Sequence, residues 1–417
     1  GTIPSKTLRE AVLYLAGWRE KGIYGRSHRV KADITAADLL ERLSSTVRHE
    51  IEIIRHQLAR NGVKVIYRRA EFVDANRVRV TDAQGHCAEY HAHNVVIATG
   101  TNPHRPAHIP FDDDAIIDSD GLVRMHRLPR SLCVLGAGVI GVEYATIFSA
   151  LDTKVTLVDS RHRMLEFVDH DVVDEFRHDL ANRGIQLRLG EEVDHVQRLP
   201  DGCVLTTLRT GRRIRSEMLM VASGRTGATA DLGLERAGLA ADERGRVTVN
   251  AQYQTAVPHI YAVGDVIGFP ALASTSAEQG RLAACHAFGV PAESTPEHFP
   301  LGIYAVPEIS LVGKTEQQLR ADGVAYETGV ARLRETARGQ IQGVQEGLLK
   351  LIFGLEDQRL LGAHIVGEGA TELIHIGQAV LAHGGGLDYF VGSVFNYPTF
   401  AEAYKVAALD AWNRVRA

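Results

Sequence analysis

The sequence predicts an α/β protein of several domains that closes with an α+β unit, and three stretches carry that prediction. In residues 131–160 an apolar strand runs straight into the glycine loop GAGVIG, then an apolar helix, a second strand and a carboxylate. Two further apolar strands, at 94–100 and within 255–265, end in Ala-Thr-Gly and Gly-Asp, which suits close approach of a ligand to the carboxyl end of a sheet. From about Phe299 onward, strands and helices stop alternating in the βαβ manner.

The central stretch is the most specific. Leu132, Val134 and Leu135 read as a parallel strand buried on both faces. Gly136 allows the tight turn, Gly138 lets backbone approach a pyrophosphate, and Gly141 lets the helix 139–150 pack close to the sheet. Asp159 ends the next strand 23 residues after Gly136, close to the spacing of a ribose-binding carboxylate. Residues 132–151 are apolar enough to suggest a membrane span, but three glycines and Glu143 interrupt them, and the nucleotide fingerprint accounts for them better.

With 417 residues, 45% of them hydrophobic and 23% charged, the chain can bury two or three cores. Its 46 basic and 51 acidic residues are spread without long runs, which excludes a nucleic-acid-binding tail and a basic membrane patch and leaves small-molecule chemistry. Cys87, Cys133, Cys203 and Cys285 lie far apart with no C-x-x-C, and read as reduced thiols of a cytoplasmic protein.

In chain order, residues 7–18 and 36–61 have helical periodicity, the second helix long, surface-lying and closed by Asn61-Gly62. Residues 63–66, 78–81 and 88–92 read as strands, the last two joined as a hairpin over 82–85, with His91 and His93 on one solvated face. Beyond the central unit, 185–189 and 217–223 read as strands around an antiparallel meander at 204–214. A strand within 255–265 delivers Asp265 onto a loop ahead of a helix over 273–288. The last unit reads as strands at 303–306, 309–312, 348–353 and 361–366, with helices from Thr315, Ala370 and Thr399. His364, His375 and His383 lack cysteine or carboxylate company, so no metal is expected.

These motifs, in this order, resemble the flavin-dependent pyridine nucleotide disulfide oxidoreductases nearly end to end, most closely in GTIPSK, DSDGLVRMHRLPR, GRTG, YQTAVPHIYAVGDVIG, GKTEQQL and FNYPTFAEAY. The resemblance implies two Rossmann-like dinucleotide-binding domains, the first truncated, and a C-terminal α+β dimerisation domain. Residues 1–127 and 251–298 would then form the FAD-binding domain, 128–250 the NAD(P)-binding domain and 299–417 the dimer interface. Residue by residue, it implies that Thr99, Gly100, Gly264, Asp265 and Ala273 adjoin FAD. Gly136, Ala137, Gly138, Val139, Ile140, Gly141, Glu143, Asp159, Gly224 and Arg225 would contact NAD(P), with Arg161 and Arg163 offsetting the repulsion between Asp159 and a 2′-phosphate. Lys6 and Glu143 would pair beside the flavin as the catalytic residues. NAD(H) and NADP(H) are the expected substrates, a homodimer or higher homo-oligomer the expected assembly, and neither nucleic acid nor membrane an expected partner.

Two departures from the family pattern bear on the chemistry. Thr2 stands where the disulfide reductases carry the second cysteine of their redox pair, and Tyr397-Pro398-Thr399 stands where they carry His-Pro-Thr, only Glu402 of the usual acid partner remaining. Dithiol exchange needs a thiolate and a matched base, and both are missing. The expectation is therefore FAD-mediated hydride transfer between NADPH and NAD+, with an NAD(P)H dehydrogenase or a non-catalytic nucleotide-binding relative as alternatives. In the family, GTIPSK follows a first strand, glycine loop, helix and acidic ribose ligand. The resemblance thus implies an incomplete chain that keeps NAD(P) and holds FAD poorly.

Overall fold

Strand Ser131–Leu135 lies at the middle of a five-stranded parallel sheet whose order is Ile116–Asp118, Met218–Val221, Ser131–Leu135, Lys154–Asp159, Gln186–Leu189. The chain leaves the central strand toward one edge and returns on the other side, so the glycine loop opens at a topological switch point, where α/β sheets leave a crevice. The computed structural model describes residues 1–25, 27–294 and 298–415.

One face of this sheet is covered by helices Val139–Ala150 and His170–Asn182, through Ile147, Phe148, Val172, Phe176 and Leu180. Each of these side chains is essentially removed from water, worth roughly 1.5–3 kcal/mol apiece. The other face is covered by an antiparallel meander, Val193–Arg198, Val204–Leu208 and Arg213–Ser216, which packs Val196, Val204 and Leu208 on Cys133, Leu135 and Leu219. With both faces covered, the central strand has no polar side to show, which explains its unbroken apolar run.

Residues 1–127 supply helix Thr2–Leu15, the long helix Ala36–Arg60 and an antiparallel sheet of Arg69–Phe72, Arg77–Thr81 and Cys87–His91. Thr35 and Asp38 form a reciprocal capping box at the start of the long helix, which buries only Ala36, Leu39 and Leu43. Val95–Ile97 pairs in parallel with Ile260–Ala262, which brings residues 251–294 back to this region. The C-terminal unit is a five-stranded antiparallel sheet, ordered Leu301–Ile303, Ile309–Gly313, Leu360–Val366, Leu348–Gly354, Tyr326–Arg332, and packed by helices Ala370–Ala382 and Glu402–Val415. Its Leu301, Ile303, Val306 and Ile309 share one core with Leu8, Val12, Val142 and Ile147.

A buried charge joins the parallel-sheet unit to the C-terminal unit. Lys350, fully inaccessible, lies 2.8 Å from Asp169 and 2.6 Å from Asp171 at the start of helix His170–Asn182, and also contacts Glu316 of its own unit. Burial pushes the Lys350 ammonium down, but the three carboxylates outweigh it and hold its pKa above the usual lysine range. Asp169 is pushed up by burial and pulled back further by His364 and Lys350, so its carboxyl sits below the usual range.

Several expectations need correction. Residues 63–66 form no strand, because no ladder partner lies beside them; the first strand is Arg69–Phe72. The first helix starts at Thr2 rather than residue 7 and ends at Leu15. The strand expected at 303–306 is Leu301–Ile303, since the backbone groups of 304–306 are taken by side chains of other elements. Asp265 sits in a short 3₁₀ turn, Gly264–Ile267, rather than an open loop, and the last helix begins at Glu402 rather than Thr399. His91 ends its strand and His93 lies beyond it; both are exposed. The sequence reading passed over strand Tyr326–Arg332 and helix His170–Asn182, although the helix carries an Asp169 cap and apolar residues at helical spacing, Val172, Val173, Phe176 and Leu180. The boundary expected at 298/299 abuts residues 295–297, which lie outside the described residues.

Candidate functional site

The glycine loop is held by its surroundings. Gly136 has φ +108°, and a Cβ there would strike the Ala222 carbonyl, while a Cβ at Gly141 would overlap the Gly136 carbonyl oxygen. Gly138 is open: its nearest neighbour would be Arg161 Nη2 at 4.0 Å, and it starts helix Val139–Ala150 with no side-chain cap. The helix therefore presents its first N–H groups and its positive dipole end to whatever anion approaches Gly138.

Asp159 stands beside this loop and is already engaged. Its Oδ2 accepts from Ala137 N at 2.5 Å, and its two oxygens accept from Arg161 N, Nε and Nη2 at 2.8, 2.9 and 2.7 Å. Partial burial pushes this carboxyl up, but the Arg161 guanidinium and the two amides outweigh it and hold its pKa below the usual range. Arg163 points elsewhere, toward Asp174 at 3.4 Å.

The first turn of the same helix forms a wall of a cleft of about 890 Å³. Lys6, Val139, Ile140, Glu143, Arg225, Asp265 and Ala273 all line it, although they come from four distant parts of the chain. Lys6 Nζ donates to Glu143 Oε1 at 2.9 Å and Oε2 at 2.7 Å, with Glu143 only 4% exposed. Glu143 Oε1 also accepts from Tyr304 N at 2.8 Å, and the Lys6 ammonium lies 4.9 Å from the centre of the Tyr304 ring. A carboxylate buried this deeply persists because every side of it meets a donor. Desolvation raises the pKa of the Tyr304 phenol, helped by Glu308, so this ring stays neutral.

Of the other lining residues, Arg225 donates through Nε to Thr101 Oγ1 at 2.6 Å and through Nη2 to Thr101 O at 2.7 Å, while Thr101 Oγ1 lies 3.4 Å from Oδ2 of Asp265. Thr99, Gly100, Gly224 and Gly264 lie beside the ends of short strands, outside the cleft lining. Gly100 O accepts from Ala228 N, Gly224 O from His104 N, and Gly264 N donates to Gln279 Oε1. Ala273 opens helix Ala273–Ala287, again without a side-chain cap. Sequence reasoning missed Thr101 and Tyr304. Thr101 adjoins the Ala-Thr-Gly strand end and was within reach of that signal; Tyr304 comes from the C-terminal unit and has none.

Among the described residues no cysteine lines the cleft, and Thr2 does. Cys133 is inside the central strand, where burial pushes its thiol up to about 12.

Comparison with known proteins agrees with this geometry. Residues 8–280 match the family profile described as pyridine nucleotide-disulphide oxidoreductase, and residues 299–408 match the dimerisation domain of the same family. The chain is 51% identical over its whole length to the soluble pyridine nucleotide transhydrogenase of Mycobacterium bovis (strain BCG / Pasteur 1173P2), and 43% identical to that of Photobacterium profundum, covering 89% of each. Among solved structures it is similar to LpdA from Mycobacterium tuberculosis, with a TM-score of 0.89 at 27% identity over 98% of this chain and 89% of that one. It is also similar to the HOCl-induced flavoprotein disulfide reductase RclA from Escherichia coli, with a TM-score of 0.86 at 27% identity, over 98% of this chain and 89% of that one. The two profiles together span most of the chain, its catalytic-unit and dimerisation regions alike, and the chain belongs to the pyridine nucleotide-disulphide oxidoreductase family.

Proposed function

We propose that this chain is an FAD-dependent pyridine nucleotide transhydrogenase, moving a hydride between NADPH and NAD+ in a cytoplasmic homodimer. The observation that carries this reading is the cleft that holds the Lys6–Glu143 pair with no cysteine in its lining. The relatives that are similar over the whole chain, and are named for that activity, point the same way. A disulfide reductase, the name carried by the Escherichia coli neighbour, needs a thiolate where this cleft offers Thr2.

The residues present fit both groups. Open space at Gly138 and an uncapped helix start suit a nucleotide diphosphate, while Lys6, Asp265 and the uncapped start of helix Ala273–Ala287 suit a flavin dinucleotide along the cleft. When bound, FAD supplies hydride acceptance from one nicotinamide and donation to the next. The chain supplies the rest. The N–H groups at Gly138 take the diphosphate, and Asp159 with Arg161 reads the ribose 2′ position. Val139 and Ile140 make an apolar wall that keeps water from the reacting atoms. Lys6 sets a fixed positive charge where negative charge develops, and Glu143 prevents that ammonium from swinging into solvent. The two nucleotides use one loop in turn, so the kinetics are ping-pong.

The test is an anaerobic titration of the purified protein supplied with FAD. NADPH should bleach the visible flavin band, NAD+ should restore it, and initial-rate plots at several NAD+ concentrations should run parallel. NADPH oxidation that proceeds only when a quinone is supplied would assign the chain to the NAD(P)H dehydrogenases instead.

A further inference from the structure

Arg9 is among the most deeply buried side chains, at 2% exposure, and no role above uses it. It lies three residues after Lys6 on helix Thr2–Leu15, so both side chains leave the same face. Both reach one short strap of the C-terminal unit, residues 304–306. Arg9 Nε donates to Ala305 O at 3.1 Å, while Lys6 holds Glu143, which accepts from Tyr304 N. The next two backbone groups are taken as well: Val306 N donates to Thr146 Oγ1 at 3.0 Å, and Val306 O accepts from Arg183 Nη1. Arg9 is balanced by Glu10 at 2.6 Å and by Glu308 at 3.2 Å, and Glu308 is itself fixed by Thr371 N and Oγ1 at 3.1 and 2.7 Å.

An arginine buried merely to join two domains would need only its carboxylates. This one also aims Nε at the single carbonyl that follows Tyr304, the residue whose amide fixes Glu143. We infer that Arg9 is a positioning residue: by fixing Ala305 O it holds the Tyr304 amide against Glu143, and so sets where the Lys6 ammonium stands in the cleft. Lys6 and Arg9 thus grip the strap at two peptide groups with one between them, Lys6 through Glu143 and Arg9 directly. Loss of the Arg9 bond lets residues 304–306 lift, frees the Tyr304 amide and leaves Glu143 with Lys6 as its remaining partner. The pair can then drift toward solvent. A misplacement of about 1 Å at a reacting site costs on the order of a hundredfold in rate.

The kinetic part of this inference rests on the transhydrogenase reading; the structural part does not, and the experiment separates them. Arg9→Lys and Arg9→Gln are compared with the wild-type protein by amide hydrogen exchange and by steady-state kinetics. In Arg9→Gln, exchange at the Tyr304 and Val306 amides should rise about tenfold or more, while amides of helix Thr2–Leu15 stay within about twofold. The kcat should fall about tenfold, with KM for NADPH within about twofold, because nucleotide binding at Gly138 is untouched. Arg9→Lys keeps the charge opposite Glu308 and should fall between the two, and it decides the question alone if Arg9→Gln does not fold. Unchanged exchange at Tyr304 overturns the inference, as does raised exchange with unchanged kcat. If the wild-type protein shows no transhydrogenase turnover, the proposed function fails while the exchange result still decides what Arg9 holds.

Discussion

The Asp159 carboxylate and the Arg161 guanidinium form a two-pronged pair, 2.9 and 2.7 Å, at the edge of the nucleotide loop, and the same carboxylate holds Ala137 N. In the proposed function one residue suits a 2′-hydroxyl and the other a 2′-phosphate, so each would neutralise the other until a nucleotide chooses between them. Asp159→Asn keeps an acceptor for Ala137 and releases Arg161. The ratio of kcat/KM for NADPH over NADH should rise about tenfold, the scale of one charge-assisted hydrogen bond of about 1.5 kcal/mol. Arg161→Ala should move the same ratio the other way. Initial rates with each nucleotide in the two variants check this.

Lys6→Met strands Glu143 in a nearly inaccessible site with its counter-charge removed. Breaking a buried pair this way costs about 3 kcal/mol, so the melting temperature should drop along with turnover. Combining Lys6→Met with Glu143→Gln removes the orphan charge. Thermal melts should show most of the stability restored while kcat stays low, separating the pair's electrostatic work from its structural cost.

Disulfide substrates should give no NADPH- or NADH-driven turnover. Thr2 cannot form a thiolate, the Cys133 thiol is pushed up to about 12 by burial, and no cysteine among the described residues lines the cleft. Assay with a lipoamide-type disulfide decides this. Reduction that survives conversion of all four cysteines to serine would point to a chemistry the cleft does not display.

Stability should depend on acid through Asp169. Its folded pKa is depressed, so the stability it contributes is present above the unfolded value of about 4 and is lost as pH falls through the folded value. Lys350→Met removes the ammonium that pairs with it and leaves His364 alone against the burial that pushes the carboxyl up. Denaturant midpoints measured against pH should fall steeply in acid for wild type, and in the variant flatten or rise, from a baseline lower by about 3–5 kcal/mol at neutral pH.

How far the fold could be read in advance follows from the range of each interaction. The run from Ser131 to Asp159 was legible because each step, strand to loop to helix to carboxylate, is settled by neighbours a few residues away. Residues 63–66 were misread because a strand exists only with a partner, and apolar alternation says nothing about whether one arrives. Lys6 and Glu143 lie 137 positions apart and could be joined only through resemblance to a family, never through periodicity. Tyr304 and Arg9 escaped altogether: their importance rests on backbone atoms of a strap whose own side chains carry no pattern.

The placement of Lys350 also limits how nucleotides come and go. A swing of residues 128–250 away from the C-terminal unit would pull Asp169 and Asp171 off an ammonium that has no access to water, leaving a bare charge inside protein. That route is too steep to be travelled in every turnover. Exchange of one nicotinamide for the other must therefore leave the seam of Lys350 with Asp169 and Asp171 closed, so that whatever movement admits a nucleotide belongs to parts of the chain outside that seam.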